Sequence, residues 1–183
     1  MHAITYLAET TTIAQNLDPF EIEALATELH KLTGKLYIVG LGGSLANAVH
    51  MAADFCKLCE INAEAYCNIA EITARGNDEG FATIFDGWIR RMKAEDALFV
   101  LSVGGGTDNV SLPIKKAILY AKMKGAKVFG IVVPNGGYAA SHGDVVIKIP
   151  APDRVTPHTE AFQMVISHAL VCHPLLQKKA MVW

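Results

Sequence analysis

One stretch, LYIVGLGGSLANAVHMAADFCKLC at residues 36–59, constrains the fold of this chain more than any other. Leu36, Tyr37, Ile38 and Val39 make a short apolar run that ends in Gly40-Leu41-Gly42-Gly43-Ser44. Beyond it the apolar residues change to helical spacing, at Ala46, Val49, Ala53 and Leu58, with His50 and Asp54 among them. A buried strand that runs through glycines into a helix leaves free backbone N–H groups and the positive end of the helix dipole facing an anion. Ser44 is read as the cap of that helix and as an added hydroxyl donor. His50 and Asp54 stand four residues apart, so they project from one helix face just above the turn. An anion cradle beside an imidazole and a carboxylate is a site for a phosphorylated small molecule.

The same plan recurs later. The buried run ALFVLS at 97–102 passes into Val103, Gly104, Gly105, Gly106, Thr107 and Asp108, and a helix is predicted over 109–124, closed by Gly125. A third buried strand, 127–133, ends in Pro134-Asn135-Gly136-Gly137, followed by a short helix through His142 and a strand at 145–149. A loop with three prolines at 150–157 leads to a last helix at 158–172, and His173-Pro174 leaves a small amphipathic tail. Ahead of the first strand, residues 2–15 have helical spacing, and Asp18-Pro19 gives a cap and a first-turn proline for a second helix to about Leu32. Between the two glycine turns lie a strand candidate at 63–67, a segment at 69–75, a turn at 76–80 that exposes Asp78, and helical periodicity over 81–93. Strands alternating with such helices predict an α/β fold: a three-layer, doubly wound parallel sheet of flavodoxin-like kind with two leading helices. One domain is expected over 1–183, with residues 1–34 packing on the sheet or on a partner subunit.

Both glycine turns fall at strand ends, where an open parallel sheet binds its ligands, so they can converge on one molecule. Neither carries the GK[ST] of a P-loop, and neither matches GxGxxG with an acid about twenty residues on. Neither a nucleoside triphosphate nor a dinucleotide is indicated. A net charge of −2 argues against nucleic acid as a partner. No apolar run reaches the length of a membrane span, and no signal-peptide pattern opens the chain. Cys56, Cys59, Cys67 and Cys172 lack zinc-finger spacing and read as reduced core or interface thiols, so a soluble, cytoplasmic protein is expected.

Taken in order, the motifs carry a resemblance. GLGGSLANAVHMAAD resembles the GNGGSxxxAxHxAxE signature of phosphoheptose isomerases, of the sugar isomerase (SIS) superfamily. GNDEGFATIF is similar to that family's NDxGFxxIF segment, SVGGGTDNV stands where it has a serine-rich phosphate loop, and EAFQMVISHAL resembles its final helix. The similarity covers roughly residues 36–173. It implies a SIS-type fold and conversion of sedoheptulose 7-phosphate into D-glycero-D-manno-heptose 7-phosphate, with sites between the subunits of a homotetramer. It also implies that Gly42, Gly43, Ser44, Ser102, Gly104, Gly105, Gly106 and Thr107 hold the phosphate or sugar oxygens, with Asn77, Asp78 and Glu160 as further substrate contacts. Asp54 takes the place of the family's glutamate base and His168 that of its histidine acid/base. A zinc ion, bound by some members, would find ligands at His50, Asp54, Glu160 and His168. Glu160 and His168 are eight residues apart, about 12 Å along a helix, which makes a single ion shared by both marginal.

The chain departs from the family pattern at several places. Leu41 replaces an asparagine, Val103 and Gly104 replace loop hydroxyls, Leu58 stands for an arginine with Lys57 adjacent, and Pro157 stands for an aspartate with His158 beside it. Asp54 is one methylene shorter than the family's glutamate. The alternative to an enzyme is a non-catalytic SIS protein that binds a protein partner or senses a sugar phosphate. The presence of Asp54 and His168 favours the enzyme.

Overall fold

The structure is a computed structural model that describes residues 1–180; residues 181–183, which end the expected tail and domain, lie outside the described residues. The chain runs α1 (His2–Asn16), α2 (Pro19–His30), β1 (Leu36–Val39), α3 (Gly43–Cys59), β2 (Ala63–Ala65), α4 (Ile69–Asp78), a 3₁₀ turn (Phe81–Thr83), α5 (Asp86–Ile89), β3 (Ala97–Leu101), α6 (Leu112–Met123), β4 (Lys127–Val132), α7 (Gly137–His142), β5 (Val145–Lys148) and α8 (Val155–Val171). The five strands pair in parallel in the order β2-β1-β3-β4-β5, the flavodoxin-like arrangement expected of a doubly wound sheet.

Side chains alternate across each strand, and both faces are covered, which is why the strands read as unbroken apolar runs. Leu36, Ile38, Phe99 and Phe129 join a core with Met51 and Phe55 of α3, Leu25 and Leu29 of α2, and Phe162 and Ile166 of α8. Tyr37, Val39, Leu98, Val100 and Val128 face the opposite core with Trp88 of α5 and Ile114 and Ile118 of α6. The helix after β1 therefore goes to one face and the helix after β3 to the other. The crevice at the carboxyl ends of these adjacent strands is the topological switch point. Both glycine turns open into it.

Asp18 caps α2 as its sequence suggested, its carboxylate accepting from the Phe20 N–H at 2.8 Å. Elsewhere the boundaries differ from the periodicity. The segment 81–93 is not one helix but a 3₁₀ turn and the single turn α5. A Cβ on Gly87 would lie 2.3 Å from the Arg75 and Glu71 side chains, so this segment lies flat against α4. It still buries Ile84, Phe85, Trp88, Ile89 and Met92, which are the residues that produced the helical period. The α4 helix runs on through Gly76 to Asp78, its last turn tied by Arg75 to Glu71 and Glu79 at 2.9 Å each. The α6 helix starts at Leu112 rather than Asn109, because the Thr107 hydroxyl accepts from the Asn109 and Val110 amides and holds them in a turn. At the other end of the chain α8 starts at Val155, with Pro157 in a first turn that needs no N–H from it.

The Cys56 thiol donates to the Ala63 carbonyl at 3.1 Å, and burial pushes the Cys59 thiol up to about 11. Cys59 alone of the four is buried in the packing of α3, while Cys56, Cys67 and Cys172 are free thiols on the surface, so the core placement expected of them holds for Cys59 only. No helix among the described residues is long and apolar enough to cross a membrane.

Candidate active site

The first glycine turn is shaped by Gly42, whose φ of 59° lies in the left-handed region, and it faces open space: a Cβ there would touch nothing within 4 Å. Gly42, not Ser44, caps α3, and no side chain makes the cap bond. Among the described residues the amides of Gly43 and Ser44 have no hydrogen-bond partner, so they point the start of α3 at the crevice.

Ser44 has another partner. It is buried, and its hydroxyl accepts from Gln163 Nε2 at 3.1 Å, which leaves its own O–H to donate. Asn47 Nδ2 donates to Gln163 Oε1 at 3.0 Å and to the Glu160 carbonyl at 2.8 Å. This polar seam sets α8 against α3. Sequence reasoning missed Asn47 and Gln163; the signal was an amide in the apolar stripe of each helix.

The seam brings the chemistry together. His50 Nε2 lies 3.1 Å from Asp54 Oδ2, and His168 Nε2 reaches the same oxygen from α8 at 3.7 Å. The two imidazole rings stand edge to face with centroids 5.4 Å apart. Asp54 is 21% exposed between His50 at 56% and His168 at 53%, so the carboxylate is recessed and the imidazoles form its rim. Among the described residues these three are the one group of His, Cys, Asp and Glu side chains whose ligand atoms all lie within 4.8 Å of each other. Two imidazoles and a carboxylate are the donor set of a three-ligand zinc site with an open position, so the residues fit that ion. Glu160, the fourth expected ligand, is elsewhere: its carboxylate crosses the first glycine turn, 2.4 Å from where a Cβ on Gly43 would be. Two helical turns separate it from His168, as its spacing implied.

The second turn is braced by the third glycine stretch. Ser102 is buried, and its hydroxyl accepts from the Gly105 N–H at 3.0 Å. Gly105 and Gly106 take φ of 63° and 82°, and their carbonyls accept from Ala139 and Tyr138 at 3.0 and 2.8 Å. A Cβ on Gly105 would fall 1.8 Å from the Gly136 carbonyl oxygen, so only glycine fits. Gly104 faces open space, and among the described residues its amide and that of Gly106 have no partner. Thr107 spends its hydroxyl on its own turn, donating to the Val110 carbonyl at 3.2 Å.

The remaining candidates are not joined to the cluster. Asn77 and Asp78 are exposed at the end of α4 and bond to each other at 2.7 Å. Leu41 packs on the α6-side core, Leu58 is buried in the other core, and Lys57 is exposed. His158 is buried and turned to α1, with Nε2 2.9 Å from Glu9 Oε2, so it does not replace the missing aspartate.

A doubly wound sheet with glycine turns at the ends of the adjacent strands β1 and β3, and a His/Asp/His cluster between α3 and α8, is the arrangement expected of a sugar isomerase (SIS) domain. No family model matches the chain. It is 32% identical over 177 residues to a phosphoheptose isomerase of Geotalea daltonii, covering 92% of this chain and 88% of that one. A phosphoheptose isomerase of Clostridium acetobutylicum is 28% identical over 158 residues, covering 82% of this chain and 77% of the relative. Among solved structures, phosphoheptose isomerase GmhA of Neisseria gonorrhoeae has the same fold, with a TM-score of 0.81 at 24% identity over 93% of this chain and 96% of that chain. The chain belongs to the phosphoheptose isomerase family.

Proposed function

We propose that this protein converts sedoheptulose 7-phosphate into D-glycero-D-manno-heptose 7-phosphate through an enediol, as a single SIS domain spanning residues 1–183. The observation that carries this reading is the meeting of His50 and Asp54 of α3 with His168 of α8 in a chain of this family.

The reaction moves one proton between adjacent carbons and one between their oxygens. Asp54 takes a proton from C1 as general base, electron density passes to the C2 carbonyl oxygen, and the carboxylic acid returns the proton at C2. His168 carries the C1 hydroxyl proton to the C2 oxygen, so an aldehyde forms at C1 with no net change in charge. His50, 3.1 Å from Asp54, orients the carboxylate and adds an N–H toward the developing oxyanion. The amides of Gly42–Ser44 and the Ser44 hydroxyl hold substrate oxygens at one end. Ser102, Gly104, Gly105, Gly106 and Thr107 frame the phosphate at the other. Glu160, Asn77 and Asp78 are left for the sugar hydroxyls.

Zinc fits the same cluster: His50, Asp54 and His168 would hold it, and bound there it supplies Lewis-acid polarisation of the substrate carbonyl. Cytoplasmic action as a homotetramer completes the proposal, and exposed Val49 and Val165 offer an apolar face to a second subunit. A non-catalytic role is not favoured, since it gives no reason for a base and two imidazoles to converge.

The test is turnover of sedoheptulose 7-phosphate by the purified protein, with zinc and with a chelator, beside Asp54→Ala and His168→Ala. Each variant is expected to lose about 10²–10⁴-fold in kcat/KM with an unchanged far-UV spectrum. No turnover by the wild type with zinc present overturns the substrate, and full activity in Asp54→Ala overturns the base.

A further inference from the structure

Lys115 occupies a place where a cation is poorly served by the backbone. It lies in the first turn of α6, at the positive end of the helix dipole, and no acid in that turn offsets it. Even so, its side chain is only 14% exposed. The ammonium is held from two sides, by the Asp108 carboxylate and by the Tyr138 ring, whose centre is 4.2 Å away.

Both partners belong to the frame of the second glycine loop. Asp108 directly follows Thr107, and the Tyr138 N–H donates to the Gly106 carbonyl at 2.8 Å. The backbone nitrogen of Lys115 is 2.7 Å from where a Cβ on Gly106 would stand, so the residue packs directly on the loop. The Asp108 contact first, and Tyr138 second, hold the ammonium above its ordinary lysine range, so it stays charged at neutral pH. Asp108 itself is 74% exposed and has nothing but this contact to keep it in place among the described residues.

The loop is short of other donors. Residues 103–106 bring no hydroxyl and the Thr107 hydroxyl donates to Val110, which leaves the Ser102 O–H, whose oxygen accepts from Gly105, as the loop's one hydroxyl donor. The free amides of Gly104 and Gly106 supply direction but no whole charge. A phosphate dianion needs a cation, and the one packed on this loop is Lys115.

We propose that Lys115 is the phosphate-binding cation of the second glycine loop, and that Asp108 is its placeholder, displaced when the substrate phosphate arrives. The assignment rests on the sugar-phosphate reading of the site, but it can be measured apart from turnover. Inorganic phosphate is titrated calorimetrically into wild type, Lys115→Met, Asp108→Asn and the double variant, and KM and kcat are measured with sedoheptulose 7-phosphate. Lys115→Met is expected to weaken phosphate and raise KM by about tenfold or more with kcat within about twofold. Asp108→Asn is expected to tighten phosphate several-fold, because the competitor is gone. A merely structural ion pair predicts the reverse: Asp108→Asn then weakens phosphate as much as Lys115→Met does, and that result overturns the proposal. So does a Lys115→Met protein that binds phosphate like the wild type, or a wild type that binds none. Should Lys115→Met fail to fold, Asp108→Asn decides alone by the direction of its shift. Failure of the substrate reading is distinct: phosphate binding still separates the variants while no protein turns over the heptulose phosphate.

Discussion

Gly43 and Gly105 look alike in the sequence, each inside a glycine-rich turn at the end of a buried strand, but they answer to different constraints. Gly105 has φ of 63°, and its missing Cβ would overlap the Gly136 backbone oxygen at 1.8 Å. Gly43 is helical, and the atoms nearest its missing Cβ are the carboxylate end of Glu160 at 2.4–2.7 Å. Backbone cannot yield and a side-chain end can. Gly105→Ala should therefore cost about 2 kcal/mol or more, read as a lower urea midpoint at unchanged slope. Gly43→Ala should leave the midpoint near that of the wild type while displacing Glu160, so its defect appears in KM with the sugar phosphate. If Gly43→Ala lowers the midpoint as much as Gly105→Ala, the glycine is there for backbone reasons and Glu160 is not held against the turn. The two turns and the His50/Asp54 pair were legible in the sequence because glycine and i,i+4 spacing are local signals. Which hydroxyls stay free was not legible. The Ser44 oxygen accepts from Gln163, 119 residues away, and keeps its O–H to donate, while the Thr107 hydroxyl is spent on its own turn, and only the packed fold shows either.

At the scale of elements, end signals were more legible than faces. The Asp18-Pro19 cap marked α2. The α3 helix forms although the apolar spacing expected at Ala46, Val49, Ala53 and Leu58 is buried only at Leu58, its core face being Ala48, Met51, Ala52 and Phe55. The residues of 81–93, by contrast, are buried by short turns that imitate a helical period. The α1 helix is the opposite case: it forms, yet it contributes only Ile13 to the core, and four of its threonines bond back to carbonyls one turn earlier. What fastens it is polar. Glu9 pairs with Arg154 and with His158 Nε2, and the Tyr6 ring stacks on His158 at 4.4 Å. The His158 hydrogen bond first, and Arg154 after it, hold the Glu9 carboxyl below its ordinary value of 4.5 despite an opposing effect of burial. A carboxyl with a lower value in the folded state binds protons more readily once α1 is released. Its contribution is therefore complete above pH 4.5 and is lost as pH falls through the folded value. Protection factors in α1, corrected for the intrinsic pH dependence of exchange, should fall in that acid window while those of β1 and β3 are kept. In Glu9→Gln the α1 protection factors should already be low at neutral pH and change little further on acidification. Wild-type and variant α1 exchanging alike at both pH values would mean that Ile13, not Glu9, holds the helix.

For the whole molecule, the question is what keeps water from the reaction. An enediolate persists only where stray protons and solvent are excluded, yet in a single protomer His50 and His168 are about half exposed. The surface around them is not that of a solvated face. Val49 precedes His50 on α3 and Val165 lies three residues before His168 on α8, and both are exposed. An apolar rim around a polar cluster is what a second copy of the chain would cover. The sequence carried this only through the family resemblance, because nothing local distinguishes a valine that faces a partner from one that faces water. Replacing Val49 and Val165 together by lysine should therefore give a smaller species by light scattering, with the far-UV spectrum retained, since neither side chain belongs to either core. Its kcat/KM should fall by at least about 100-fold, although Asp54, His50 and His168 are all still present. Full activity in that smaller species would mean that one protomer shields its own enediolate. An unchanged assembly would place the subunit interface on another face, with Ile4 and Leu7 of α1 the next exposed apolar pair to change.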